Sequence, residues 1–155
     1  MIGHLQRNKV ADLLPHVGWI HSLDSERLLA EVGKQATHQQ RSIEGFLQIN
    51  ISNEEQKHGF SPETFAEMSP DQTPPGVRIL GLMGMAAYTE DAEEIRPTFR
   101  ALRQLFEKHA PRWRAAGHPF DQLSMGMSGD FAVAIEEGAT TVRIGSLLLE
   151  GLKEG

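Results

Sequence analysis

The chain has 155 residues, with 15 Lys+Arg against 21 Asp+Glu for a formal charge of −6, and it contains no cysteine. That balance leaves no cationic field for a phosphate backbone and excludes general nucleic-acid binding. The missing cysteines exclude disulfides, thiolate catalysis and cysteine-held metal clusters, and they accord with a cytoplasmic location.

In chain order, residues 1–5 read as a strand remnant and 8–14 as a short helix stopped by Pro15. A strand at 19–22 precedes a helix over 25–40, where Leu28, Leu29, Val32 and Ala36 recur at three- and four-residue spacing and Ser25 or Asp24 caps the start. A strand at 46–51 follows, then a helix opened by Ser61-Pro62 and a turn-rich loop at 71–76. Next come a strand at 77–82 and a helix over 93–110 with an apolar stripe of Ile95, Phe99, Leu102, Leu105 and Phe106. The chain continues with a strand at 122–125, a helix at 131–137 closed by Gly138, and a last strand at 142–144. The stretch 77–88 contains Arg78, Gly81 and Gly84 and falls short of the roughly 20 apolar residues that span a bilayer. The polar residues between Gly3 and Lys9 interrupt any apolar leader.

Strands alternating with helices require crossover connections, which predicts an α/β fold with a parallel sheet of six strand-like segments in a single domain, 1–155. No GxGxxG or GxxxxGK[ST] opens any helix, which removes the main support for a dinucleotide-binding or P-loop reading.

Two strand ends carry the chemistry. Residues 123–130, Leu-Ser-Met-Gly-Met-Ser-Gly-Asp, run straight into a helix, so Ser128, Gly129 and orphan backbone N–H groups meet in a place that favours an anion. The same residues also read as an ordinary helix N-cap. The last strand delivers Arg143, Gly145 and Ser146 at the same level, which describes a phosphate cup with a cation beside it. A lone arginine there also reads as a snorkelling side chain or a carboxylate partner.

Other constellations are weaker. The seven histidines show no HxxxH or HExxH spacing, so no metal site is expected. No serine sits in a GxSxG turn. Glu54-Glu55 and Glu136-Glu137 are adjacent pairs whose side chains diverge into solvent. Met83, Met85, Met125 and Met127 read as core filling, with contact to a flat apolar ligand as the alternative.

Five ordered segments, 2–9, 47–52 with 57–60, 81–83, 123–130 and 142–146, closely resemble the pyridoxal-phosphate homeostasis protein family, small proteins related to the barrel domain of alanine racemase. The resemblance implies a (β/α)8 TIM-barrel-type fold with bound pyridoxal 5'-phosphate (PLP) at the carboxyl ends of its strands, and a role in carrying that reactive aldehyde. By the same resemblance Ser128 with Gly129 and Gly145 with Ser146 hold the phosphate, Arg143 approaches the pyridine nitrogen, and His4 lines the pocket. An arginine beside the ring nitrogen weakens the cofactor as an electron sink, which points to a carrier more than a catalyst.

The family holds the aldehyde as a Schiff base on a lysine ending the first barrel strand. Against that pattern this chain starts at the third strand, and none of Lys9, Lys34, Lys57, Lys108 or Lys153 occupies such a position. The expectation is therefore an amino-terminally truncated barrel, about strands 3–8, that binds PLP weakly or without a covalent bond and has no assignable catalytic residue. Its open sheet edges would allow self-association. The alternatives are a PLP-dependent racemase-like enzyme, for which Tyr88 is the only tyrosine and the base lysine is missing, and a cofactor-free interaction fragment.

Overall fold

The computed structural model describes residues 1–52, 58–86, 89 and 91–149. Glu54, Glu55, Lys57, Tyr88 and Lys153 lie outside them.

Five strands, β1 (Trp19–Leu23), β2 (Ile43–Ile49), β3 (Val77–Gly84), β4 (Gln122–Met127) and β5 (Thr141–Arg143), form one parallel sheet in sequential order. Helix α1 (Val10–Leu13) precedes them, and α2 (Glu26–His38), α3 (Pro62–Glu67), α4 (Ala92–Ala115), α5 (Phe131–Glu136) and α6 (Ser146–Leu149) lie between and after them. This is the strand and helix order of a (β/α)8 barrel, with five of the eight strands a closed barrel has.

One strand expectation needs correction, because residues 1–5 form no strand. The Met1 amino group donates to the Trp19 carbonyl at 2.7 Å and the Met1 carbonyl accepts from His21 N–H at 2.9 Å. Gly3, at φ 93, then interrupts the backbone pairing, and its carbonyl accepts from the Ser22 hydroxyl of β1 instead. The short helix is also less regular than its pattern predicts: 3-10 turns flank α1, and the second of them, Leu14–His16, runs through Pro15.

The outer face of the sheet carries the main core. Ile20, Ile43, Leu47, Ile79, Leu82, Leu123 and Met125 pack against Leu28, Val32, Ile95, Phe99 and Leu102 of the helices. Helix α4 continues past Pro111, where the sequence pattern stops it. Its final turn is anchored from outside: Trp113 is fully buried, and the Arg112 guanidinium donates to the Phe65 and Ala66 carbonyls at 2.9 and 2.8 Å. Tertiary packing thus outweighs the single hydrogen bond that proline removes. A register shift in β3 turns on Gly81, where a Cβ would meet the Gln122 carbonyl oxygen at 1.8 Å.

The other face of the sheet curls around a second, smaller cluster of Phe46, Leu80 and Met83, with Met85 against it. At the amino-terminal ends of the strands, Trp19 Nε1 and Arg78 both donate to Glu44, at 3.0 and 3.3 Å. One level up, His21 stacks on Phe46 with 4.5 Å between centroids and its Nδ1 meets Ser124 Oγ at 2.8 Å. At the carboxyl ends Gln48, Met83, Met127 and Arg143 line a cavity. Layers of alternate side chains filling the inside of a curled parallel sheet are the packing mode of this barrel class.

Candidate functional site

The cavity at the carboxyl ends of the strands has a volume of about 370 Å³, and Ile2, His4, Gln48, His58, Met83, Met85, Met127 and Arg143 are among its lining residues. Its walls are mostly thioether and aliphatic, with a few polar groups converging, which is the composition of a small-molecule site. The methionines of the strand ends therefore divide. Met83, Met85 and Met127 face the cavity, and Met125 belongs to the outer core.

Arg143 lies at the end of β5 and is buried. One terminal nitrogen donates to the Ser124 carbonyl at 2.8 Å and to Ser124 Oγ at 2.9 Å, and the other donates to the Gly84 carbonyl at 3.1 Å. Neither snorkelling nor a carboxylate contact describes it. Burial lowers its pKa to about 10, partly offset by Asp130, so it is a cation at neutral pH. Its Nε is buried without a hydrogen-bond partner among the described residues, an unsatisfied donor on a side chain that lines the cavity.

The serine and glycine segments meet as the two strand ends predict. Ser128 Oγ accepts from the Gly145 and Leu147 amides, each at 3.3 Å, so the β4–α5 loop and the segment after β5 close on one hydroxyl. The N-cap position falls on Asp130, the last residue of the Ser-Gly-Asp segment, although its side chain makes no bond to the helix. Asp130 precedes α5 and accepts from the Met127 amide, and the Ser128 side chain points to the neighbouring loop instead. Gly126, at φ 92, makes this turn: a Cβ there would meet Ala134 at 2.6 Å. Gly129 and Gly145 are exposed on the same loops, and Ser146, also exposed, opens α6.

His4 stands at the rim. Its ring stacks on His58 with centroids 4.2 Å apart, and its Nδ1 lies 3.0 Å from Asp24 Oδ2. His21, Ser124, Gln48 and His58 escape a reading of the sequence. Gln48 lines the cavity and its Nε2 donates to the His58 carbonyl at 2.9 Å, which ties His58 to β2. His21 and Ser124 form the level beneath Arg143. Burial, followed by the positive amino terminus and Arg143, lowers the His21 pKa to about 4, so the ring is neutral at physiological pH. The one signal available was a polar residue alternating inside an otherwise apolar strand. Among the described lysines, Lys9, Lys34 and Lys108, none lines the cavity.

Comparison with known proteins agrees with this architecture. The alanine racemase N-terminal domain family matches residues 1–152. A pyridoxal phosphate homeostasis protein of Aquifex aeolicus is 44% identical over 148 residues, covering 95% of this chain and 64% of that protein. One from Helicobacter pylori is 37% identical over 155 residues, covering 97% and 65%. The structure of PipY from Synechococcus elongatus with PLP bound superposes with a TM-score of 0.83 at 32% identity, covering 96% of this chain and 68% of that one. The chain thus spans slightly less than two thirds of the curated relatives it matches. Among the described residues no helix is long and apolar enough to cross a membrane.

Proposed function

The chain belongs to the alanine racemase N-terminal domain family, and on that footing we propose that it binds pyridoxal 5'-phosphate and serves PLP homeostasis in the cytoplasm, as a carrier more than a catalyst. The observation that carries this reading is the convergence of the Gly145 and Leu147 amides on Ser128 Oγ, next to the cavity that Arg143 lines. Two backbone donors and a hydroxyl suit the oxygens of a phosphate, which accept where Ser128 now accepts. Gly129 and Gly145 let the backbone come close, and Ser146, the first residue of α6, follows Gly145 directly.

The orphaned Arg143 Nε is the second point of fit, since a ring acceptor in the cavity would satisfy it. PLP, when bound, supplies an electrophilic aldehyde and an aromatic ring that serves as an electron sink only if its nitrogen is protonated. A fixed guanidinium cation opposes that protonation. Arg143 is held in place by three hydrogen bonds to Ser124 and Gly84, so it cannot withdraw without leaving buried acceptors unpaired. Met83, Met85 and Met127 supply a polarisable wall for a flat ring, and His4 and His58 shield the rim. On this reading these contacts hold the ligand without a covalent bond. The formal charge of −6 disfavours nucleic acid as a partner, and the sheet edges at β1 and β5 are where self-association would occur.

Equilibrium dialysis of the purified chain against PLP and against pyridoxal, its phosphate-free counterpart, tests the reading. The expected result is retention of PLP, at least about tenfold weaker retention of pyridoxal, and displacement by inorganic phosphate. Equal retention of the two compounds, retention of neither, or a mass increase fixed on a lysine by borohydride reduction would contradict it.

A further inference from the structure

Three segments distant in the sequence bring His4, Asp24 and His58 together, with one ligand atom from each residue lying within 4.8 Å of the others. We propose that these residues form a mononuclear divalent-cation site, of the zinc class, at the rim of the cavity. Two imidazoles and one carboxylate are the donor set of three-ligand zinc sites, which keep a further position open to water.

The geometry is partly prepared. His4 Nδ1 and Asp24 Oδ2 are 3.0 Å apart, close to the roughly 3.3 Å separation of two ligands on a tetrahedral zinc. The Asp24 side chain is 6% exposed, and Ser25 Oγ donates to its other oxygen at 3.0 Å. Ser25 is itself fixed as the N-cap of α2, accepting from the Leu28 amide. A buried carboxylate oriented by a helix cap, with exposed imidazole before it, is a ligand with a built supporting layer. On the other side, Gln48 holds the His58 carbonyl, and the Phe60 amide donates to the Gln48 carbonyl at 2.8 Å. His58 is therefore anchored to β2 and stacked on His4 at an interplanar angle of 15°. Bringing all three ligand atoms onto one ion requires the 4.8 Å spread to contract by about 1.5 Å, within reach of rotations of two exposed histidine side chains. The histidine spacing along the sequence predicts no such set because the ligands come from the amino-terminal segment, the end of β1 and the segment after β2.

Isothermal titration with zinc chloride, in a buffer without PLP or phosphate, tests the site independently of cofactor binding. Copper is avoided as a probe because it binds any pair of exposed histidines tightly. The expected result is one zinc per chain, with affinity reduced at least tenfold in both His4→Ala and His58→Ala and unchanged in His38→Ala, an exposed histidine elsewhere. Cobalt loaded in place of zinc should give the intense visible absorption of a four- or five-coordinate ion. Zinc binding that survives His58→Ala, binding lost in His38→Ala, no binding at millimolar zinc, or only the weak spectrum of octahedral cobalt would each overturn the proposal.

Discussion

His21 Nδ1 lies 2.8 Å from Ser124 Oγ, joining β1 to β4 across 103 residues and through the inside of the curled sheet. The first and fourth strands are not neighbours in the sheet, so this bond marks how far the sheet has rolled. Arg143 donates to the same hydroxyl, which makes Ser124 the meeting point of three strands directly below the cavity.

Because folding lowers the His21 pKa from its ordinary 6.5 to about 4, the unfolded chain takes up a proton that the folded chain refuses. Stability contributed by the neutral ring is complete above about pH 6.5 and falls as the pH drops toward 4. With allowance for solvent screening the loss is roughly 1 to 2 kcal/mol. Urea denaturation at stepped pH should show this slope, and His21→Gln, which keeps a hydrogen-bonding partner for Ser124 without titrating, should remove most of it.

Arg143→Ala should destabilise the chain by about 3 kcal/mol, because it strands the Ser124 and Gly84 carbonyls in a buried setting. PLP retention should fall with it. Arg143→Lys separates the two effects: lysine keeps the charge but not the fork, so the denaturation midpoint should recover in part while the contact to the ring remains weakened.

Glycine supplies a sharper structural contrast. Gly81→Ala forces a Cβ to within 1.8 Å of the Gln122 carbonyl oxygen and should cost roughly 3 kcal/mol or more, read as a large fall in the thermal midpoint. Gly18→Ala meets nothing within 4 Å and should stay within about 0.5 kcal/mol of the parent.

Glu137 is buried between α4 and α5 and takes hydrogen bonds from Arg96 and Arg100, with Arg103 3.6 Å away. The Arg100 bond above all, then Arg96, lowers its pKa below the ordinary 4.5. Its stabilisation is therefore complete above about pH 4.5 and is lost as the pH falls through the lowered value. Glu137→Gln should lower the thermal midpoint at pH 7 and reduce the difference between pH 7 and pH 3.

The strands and helices were largely legible because a parallel sheet covered by helices leaves strong apolar runs separated by amphipathic segments. The strand expected at residues 1–5 fails at Gly3, whose left-handed backbone ends pairing after one residue. For the site, strand ends rich in glycine and serine marked Ser128 and Gly145 correctly as neighbours. Arg143 was visible as a residue but not as a buried fork, since nothing local says that Ser124 and Gly84 will receive it. His21, Ser124 and Gln48 were missed for the same reason. A polar residue alternating along a strand ordinarily faces water, and only the rolling of the sheet turns that face inward.

The claim that two loops form a phosphate cup beside the cavity is tested most directly by amide NMR of the labelled chain titrated with PLP. The account predicts that the Gly145 and Leu147 amide signals move together and saturate, that inorganic phosphate moves the same two, and that Ser128→Ala weakens the response about tenfold. Saturating PLP that leaves both amides unmoved, or that shifts residues away from β4 and β5 alone, would contradict it.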